Sequence, residues 1–199
     1  YVPTSHCGPN FYIGNNPGAD GTYAPIRFGR GAPEFERVDA TEVAEASVGR
    51  SLSPSEVSSF WTGRALGYIT AQPIDWLRLT GRKFLLLVNR HEMLDTESQE
   101  SHAEWSLPLR ALGWFGHFGI LLPVAVLGAI AMWPDRRRLW IVYALTITYA
   151  LSVVMFYVFA RYRYPLVPFL LLFMVAGLFH LRRALSSWPI AVSVVAVAV

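Results

Sequence analysis

The chain has 199 residues, 53% of them hydrophobic and only 16% charged, with a mean hydropathy of +0.35, values that argue against an ordinary soluble domain. Its net charge of +3 is unevenly divided: residues 1–105 hold 9 basic against 13 acidic side chains, whereas residues 106–199 hold 8 arginines against Asp135 alone. Short arginine clusters between apolar runs are membrane-topology signals and exclude the continuous basic stripe of a nucleic-acid binder.

In chain order, Cys7 comes first as the single cysteine, so no internal disulfide and no cysteine-built metal site is possible. The stretch "HCGPNFYIGNNPGADGTYAP" is crowded with Gly, Pro and Asn, which predicts turns around a short extended segment at Phe11–Ile13. Its "GNNPGADGTY" core lacks both GxxxxGK[ST] and GxGxxG, so nucleotide binding has no support. Asn15 and Asn16 belong either to plain turns or to a loop lining a polar substrate site. Asp20, the one carboxylate among the first thirty residues, is the base candidate of that loop.

At "SPSE" the pattern changes. Ser53 as N-cap, Pro54 at the first helical position and Glu56 two residues later form a capping box. The helix predicted near 54–71 carries Val57, Phe60, Trp61, Ala65, Leu66 and Ile69 at amphipathic spacing. Pro73 opens a second helix, near 73–90, with Trp76, Leu77, Leu79 and Phe84–Val88. Both have apolar faces suited to the outer membrane surface or to the spans. The acidic run from Glu92 to Glu104 reads as a solvated loop, and Glu92, after "NRH", is a second carboxylate candidate. His91, His102 and Glu104 lack zinc-ligand spacing, and no serine nucleophile elbow is present, so no metal site is assigned.

Beyond residue 105 the sequence predicts membrane spans near 112–133, 139–159 and 166–181, and the start of a fourth at 188–199. About 20 residues at about 1.5 Å each cross the hydrocarbon core of about 30 Å. The fold class expected is mainly α: a polytopic helical membrane bundle preceded by an irregular and helical extracytoplasmic region, residues 1–105. "DRRR" (Asp135–Arg138) and Arg182–Arg183 belong on the cytoplasmic side, flanked by Trp133, Trp140 and Trp188. Residues 1–105 and the Arg161–Tyr164 connection then fall outside. The fourth run stops mid-span and no leader follows Tyr1, so the expectation is a piece of a longer protein.

The segment "YVFARYRYPLVPFL" puts Arg161 and Arg163 on the side where positive charge is disfavoured. Pro165 biases Tyr164 toward extended backbone, and an extended Arg161–Tyr164 aligns both arginines on one side with the tyrosines opposite. That fork, with Tyr162 beside it, suits either interface anchoring or the grip of a lipid phosphate. His117, within the first span, is either a hydrogen-bonded structural residue or part of the same site; His180 is interfacial.

The succession "NFYIGNNPGADGTY", "FERVDATEVAEASVGRSLSPSEVSSFWTGRALGYI", "PIDWLRLTGRKFLLLVNRHE", then spans and "ARYRYPLVPFL", resembles the C-terminal part of bacterial GT-C membrane glycosyltransferases, relatives of the dolichyl-phosphate-mannose protein mannosyltransferases. The resemblance covers nearly the whole chain and rests on the order of loose motifs. It implies an inverting hexosyltransferase of the bacterial inner membrane that takes a sugar from a polyprenyl-phosphate carrier. The acceptor would be an extracytoplasmic protein, lipid or glycan. It implies lipid-phosphate stabilisation by Arg161 and Arg163. The family's key acidic residues lie in a first outer loop that has no match here, so no catalytic base carries over. Asn15, Asn16 and Glu92 correspond to outer-face elements without an assigned role. No cofactor beyond the lipid-linked donor is identified, and a divalent metal is left open. The rival readings are a non-enzymatic transporter or flippase of lipid-linked sugars, and a membrane-anchored structural or assembly protein.

Overall fold

The computed structural model describes residues 6–91, 99–113 and 116–197, and every regular element among them is helical. The helices are α1 (Cys7–Gly14), α2 (Pro33–Val48), α3 (Pro54–Ala71), α4 (Pro73–Val88), α5 (Gln99–Glu104), α6 (Leu107–Gly113), α7 (Phe118–Ala131), α8 (Trp140–Met155), α9 (Ala160–Arg163) and α10 (Val167–Val197). They form two compact units. One is the chain up to Leu87 together with Leu151–Tyr162; the other is Val88–Ala150 with the chain from Arg163 on.

In the first unit, α3 starts where Ser53 and Pro54 place it. Glu56 accepts hydrogen bonds from the Ser53 backbone N–H (2.8 Å) and hydroxyl (2.7 Å), which satisfies donors the first helical turn would leave open. Ala40, Ala44, Val57 and Trp61 bury together between α2 and α3, and the Trp61 indole donates to the Ala40 carbonyl at 3.0 Å. The segment at Phe11–Ile13 is not extended but lies within α1. Two causes override the turn-rich composition. Gly8 lets α1 sit so close to α3 that a Cβ there would lie 2.0 Å from the Ser58 carbonyl oxygen. The Asn15 and Asn16 amides donate to the carbonyls of Phe11, Tyr12 and Ile13, which the helix end leaves unsatisfied. Helix α2, absent from the sequence expectation, begins at Pro33 and stops at Gly49 in the left-handed region (φ 78°). Buried Asp39 on α2 ties down the preceding loop through Arg27 (3.1 Å) and Arg30 (3.3 Å).

In the second unit, α7 and α10 cross at two glycines. A Cβ on Gly128 would fall 1.7 Å from the Phe173 carbonyl oxygen, and one on Gly177 would fall 2.9 Å from the Gly128 Cα. Tyr143 of α8 donates to the Ala129 carbonyl at 2.6 Å and packs its ring on Phe173 at 4.8 Å. Where the sequence suggests separate runs at 166–181 and 188–199, α10 is a single helix from Val167 to Val197. Arginine is a good helix former, so Arg182–Arg183 mark a polar position without ending the helix. Likewise the run 112–133 contains a break, with α7 beginning only after His117.

Among the described residues one helix is long and apolar enough to cross a membrane, Ala160–Arg183, 24 residues whose most apolar 18-residue window has a mean hydropathy of 2.0. Phe118–Ala131 and Trp140–Met155 are shorter apolar helices.

Candidate functional site

The "GNNPGADG" segment builds a polar centre inside the first unit. Asn15 is fully buried, and both ends of its side-chain amide are engaged. Its amide donates to the carbonyls of Phe11 (2.9 Å) and Met155 (2.8 Å), and its Oδ1 accepts from Trp76 Nε1 (2.9 Å) and Lys83 Nζ (3.1 Å). Lys83 is fully buried too, and burial lowers its pKa from 10.5 to about 8. No carboxylate pairs with it among the described residues. Gly21 (φ 98°) brings the loop over Lys83: a Cβ there would press on Lys83 Cγ at 3.2 Å and Leu86 Cδ1 at 3.0 Å. The Gly21 carbonyl accepts the Val158 N–H at 2.9 Å, so the loop that packs on the Lys83 stem is also tied to the chain after α8.

Asn16 and Asp20 shape the same loop rather than facing its centre. Asn16 Oδ1 accepts from the Gly18 N–H at 2.8 Å. Asp20 Oδ1 accepts from the Thr22 N–H (2.8 Å) and hydroxyl (2.7 Å). Partial burial raises the Asp20 pKa, but the Thr22 bonds and the charge of Arg82 outweigh it and leave the group below its ordinary value. Asp20 is therefore a weakly basic carboxylate that closes a turn.

The arginine segment differs from the extended fork. Ala160–Arg163 is a helical turn, and Tyr164–Leu166 is a 3-10 turn. Residues two apart on a helix do not share a face, so the alternation that would align Arg161 with Arg163 is absent. A turn closed locally, as by the Tyr162 N–H on the Phe159 carbonyl (3.1 Å), satisfies backbone groups that an unpaired extended segment between apolar runs would leave open.

Within the first unit, the exposed Arg161 lies over the rings of Phe159 (5.4 Å) and Tyr162 (5.3 Å). Those rings belong to an aromatic cluster with Tyr23 and buried Tyr157. Within the second unit, Arg163 is 3% exposed. Its Nη1 donates to the His91 carbonyl at 3.0 Å, its Nη2 donates to the Asn89 carbonyl, and the guanidinium lies 4.1 Å from the Phe118 ring centre. Arg163 is thus a fastener for residues 89–91. His117 stands at the N-cap of α7, with its buried Nδ1 lacking a hydrogen-bond partner among the described residues. Glu92 lies outside the described residues.

The structure thus gathers Asn15 with two residues that sequence reasoning missed, Lys83 and Trp76. One signal was in view: among 17 basic residues Lys83 is the lone lysine, and it falls between Leu79 and Leu87 on an apolar helical spacing. Among the described residues no three His, Cys, Asp or Glu converge as a metal site. Comparison with protein-family models, with curated proteins and with solved structures gives no match for this chain.

Proposed function

We propose that this chain is the membrane-embedded C-terminal part of a glycosyltransferase that moves a sugar from a polyprenyl-phosphate carrier to an extracytoplasmic acceptor. In this reading α7, α8 and the helix from Ala160 are membrane segments, the arginine clusters at 136–138 and 182–183 face the cytoplasm, and Arg161 is at the outer boundary. The membrane part is supported by the small residues at the helix crossing of the second unit and the large apolar side chains left on its outside, although Phe118, Leu170 and Phe173 are buried within it. Gly128, Gly177 and Ala125 are buried, while Leu127, Ile130, Leu172 and Phe179 are more than half exposed. Small residues at the crossing and large apolar residues outside suit hydrocarbon as solvent.

The observation that carries the phosphate chemistry is Arg161 itself, an exposed guanidinium beside aromatic rings at the head of the longest apolar helix. As the carrier phosphate departs it gains charge, and a guanidinium beside low-dielectric rings stabilises that charge more than water does. The base that deprotonates the acceptor is assigned to no residue of this chain. Arg163, with two donors on backbone carbonyls, holds the fold rather than the donor.

The test is transfer from a polyprenyl-phosphate sugar by the full-length protein in proteoliposomes. Arg161→Gln is expected to lower the transfer rate by about 10²-fold, the scale of losing one preorganised charge-stabilising donor, with insertion and thermal stability unchanged. Wild-type transfer rates in this variant would remove Arg161 from the mechanism. Retained carrier binding in a wild-type protein that performs no transfer would favour the transporter.

A further inference from the structure

Helix α4 turns a second apolar stripe away from its own core. Leu79, Lys83 and Leu87 are buried at successive turns, yet Ile74, Leu77, Phe84 and Leu85 are each more than half exposed. At about 100° of rotation per residue these four fall within a sector about 100° wide, roughly opposite the buried face. Arg78 and Arg82 follow along one edge of that sector. Their acidic neighbours are Asp75, paired with Arg78 at 3.0 Å with both side chains largely exposed, and Asp20, which feels the charge of Arg82. Exposed pairs of this kind yield readily to a stronger anion.

A helix with this pattern on a water-facing protein surface would be an aggregation liability. Leucine and phenylalanine flanked by arginine match the boundary between acyl chains and anionic headgroups. We propose that α4 docks by this stripe in the headgroup–acyl boundary of an anionic bilayer, lying on the membrane rather than crossing it. The inference rests on the membrane reading of the chain but not on sugar transfer.

The test uses the full-length protein with the exposed Cys7 replaced by serine. A single cysteine carrying an environment-sensitive fluorophore is placed by Leu77→Cys, Phe84→Cys, Leu172→Cys on α10, or Val48→Cys at the end of α2. Each protein is reconstituted in brominated phosphatidylcholine with or without phosphatidylglycerol. Expected are blue-shifted emission and quenching by shallow bromines at Leu77 and Phe84, quenching by deep bromines at Leu172, and neither at Val48. Phosphatidylglycerol should strengthen quenching at Leu77 and Phe84, and R78Q/R82Q should remove that gain. Quenching at Leu172 with none at Leu77 and Phe84 overturns the α4 assignment while leaving the membrane reading intact. No quenching at Leu172 overturns both. Equal quenching with and without phosphatidylglycerol overturns the anionic part, and cross-linking between copies through unquenched Leu77→Cys assigns the stripe to a second copy of the chain instead.

Discussion

Replacing Lys83 by methionine should stabilise the protein at neutral pH. The ammonium is fully buried and shares only the Asn15 Oδ1 among the described residues, while that oxygen keeps its bond from Trp76 in the variant. The displacement of the Lys83 pKa from 10.5 to about 8 corresponds to about 3 kcal/mol against the charged folded state, at about 1.4 kcal/mol per pH unit. Losing the neutral amine's hydrogen bond gives back about 1 kcal/mol, so Lys83→Met should gain about 2 kcal/mol at pH 7. Because the folded-state pKa of this cation is depressed, the unfolded chain binds the extra proton between pH 8 and 10.5. Wild-type stability should therefore rise with pH across that window, and the advantage of Lys83→Met should vanish by its upper end. Denaturant unfolding of both proteins in the same detergent at neutral and alkaline pH gives the difference directly, since titrations elsewhere cancel. A variant less stable than wild type at pH 7, or an advantage that does not shrink with pH, would refute the claim that the buried ammonium carries an unmet desolvation penalty.

Asn15→Ala strips partners from Trp76, Lys83 and two carbonyls together, and should cost about 3 kcal/mol or more, at about 1–3 kcal/mol per orphaned group. The double variant Asn15→Ala with Lys83→Met should be more stable than Asn15→Ala alone, a coupling that a double-mutant unfolding cycle reads out. Gly128→Ala puts a methyl into the Phe173 backbone and should lower stability by about 3 kcal/mol, at the upper end for overpacking; a thermal midpoint equal to wild type would count against the close α7–α10 crossing. Arg163→Lys keeps the charge but not the two forked donors to Asn89 and His91. It should cost about 2 kcal/mol and leave transfer per folded molecule unchanged, the converse of Arg161→Gln.

Local punctuation was the legible part of the fold. Ser53, Pro54, Glu56 and Pro73 act within one helical turn, and α3 and α4 begin at the two prolines. Helices α1 and α2 were hidden for opposite reasons. In α1 the glycine and asparagines that read as turn formers serve the contact with Ser58 and the helix-end carbonyls, purposes visible only once the chain is folded. In α2 acidic side chains punctuate the whole length, from Glu34 to Glu45, and the buried face is two alanines and an aspartate, too weak an apolar pattern to stand out. Pro165 announced an extended segment, but the neighbouring backbone closed its own hydrogen bonds as a turn. Arg161 and Arg163 were conspicuous as charges, yet their division between an exposed guanidinium and a fastener depends on the carbonyls of Asn89 and His91, far away in sequence. Lys83 matters because no carboxylate faces it among the described residues, and a missing counter-charge cannot be read from one chain position.

The first unit borrows Leu151–Tyr162 across more than sixty residues of intervening chain. During synthesis the Asn15 amide therefore waits for Met155, and Gly21 waits for Val158, until the ribosome has delivered everything between. Closing so long a loop is slow, which leaves a nascent intermediate with its polar centre open while α7 and α8 are being made. A fragment ending at residue 105, the natural choice for expressing the leading region by itself, would omit the last strap of that unit and should emerge as a substrate for proteases rather than a folded domain.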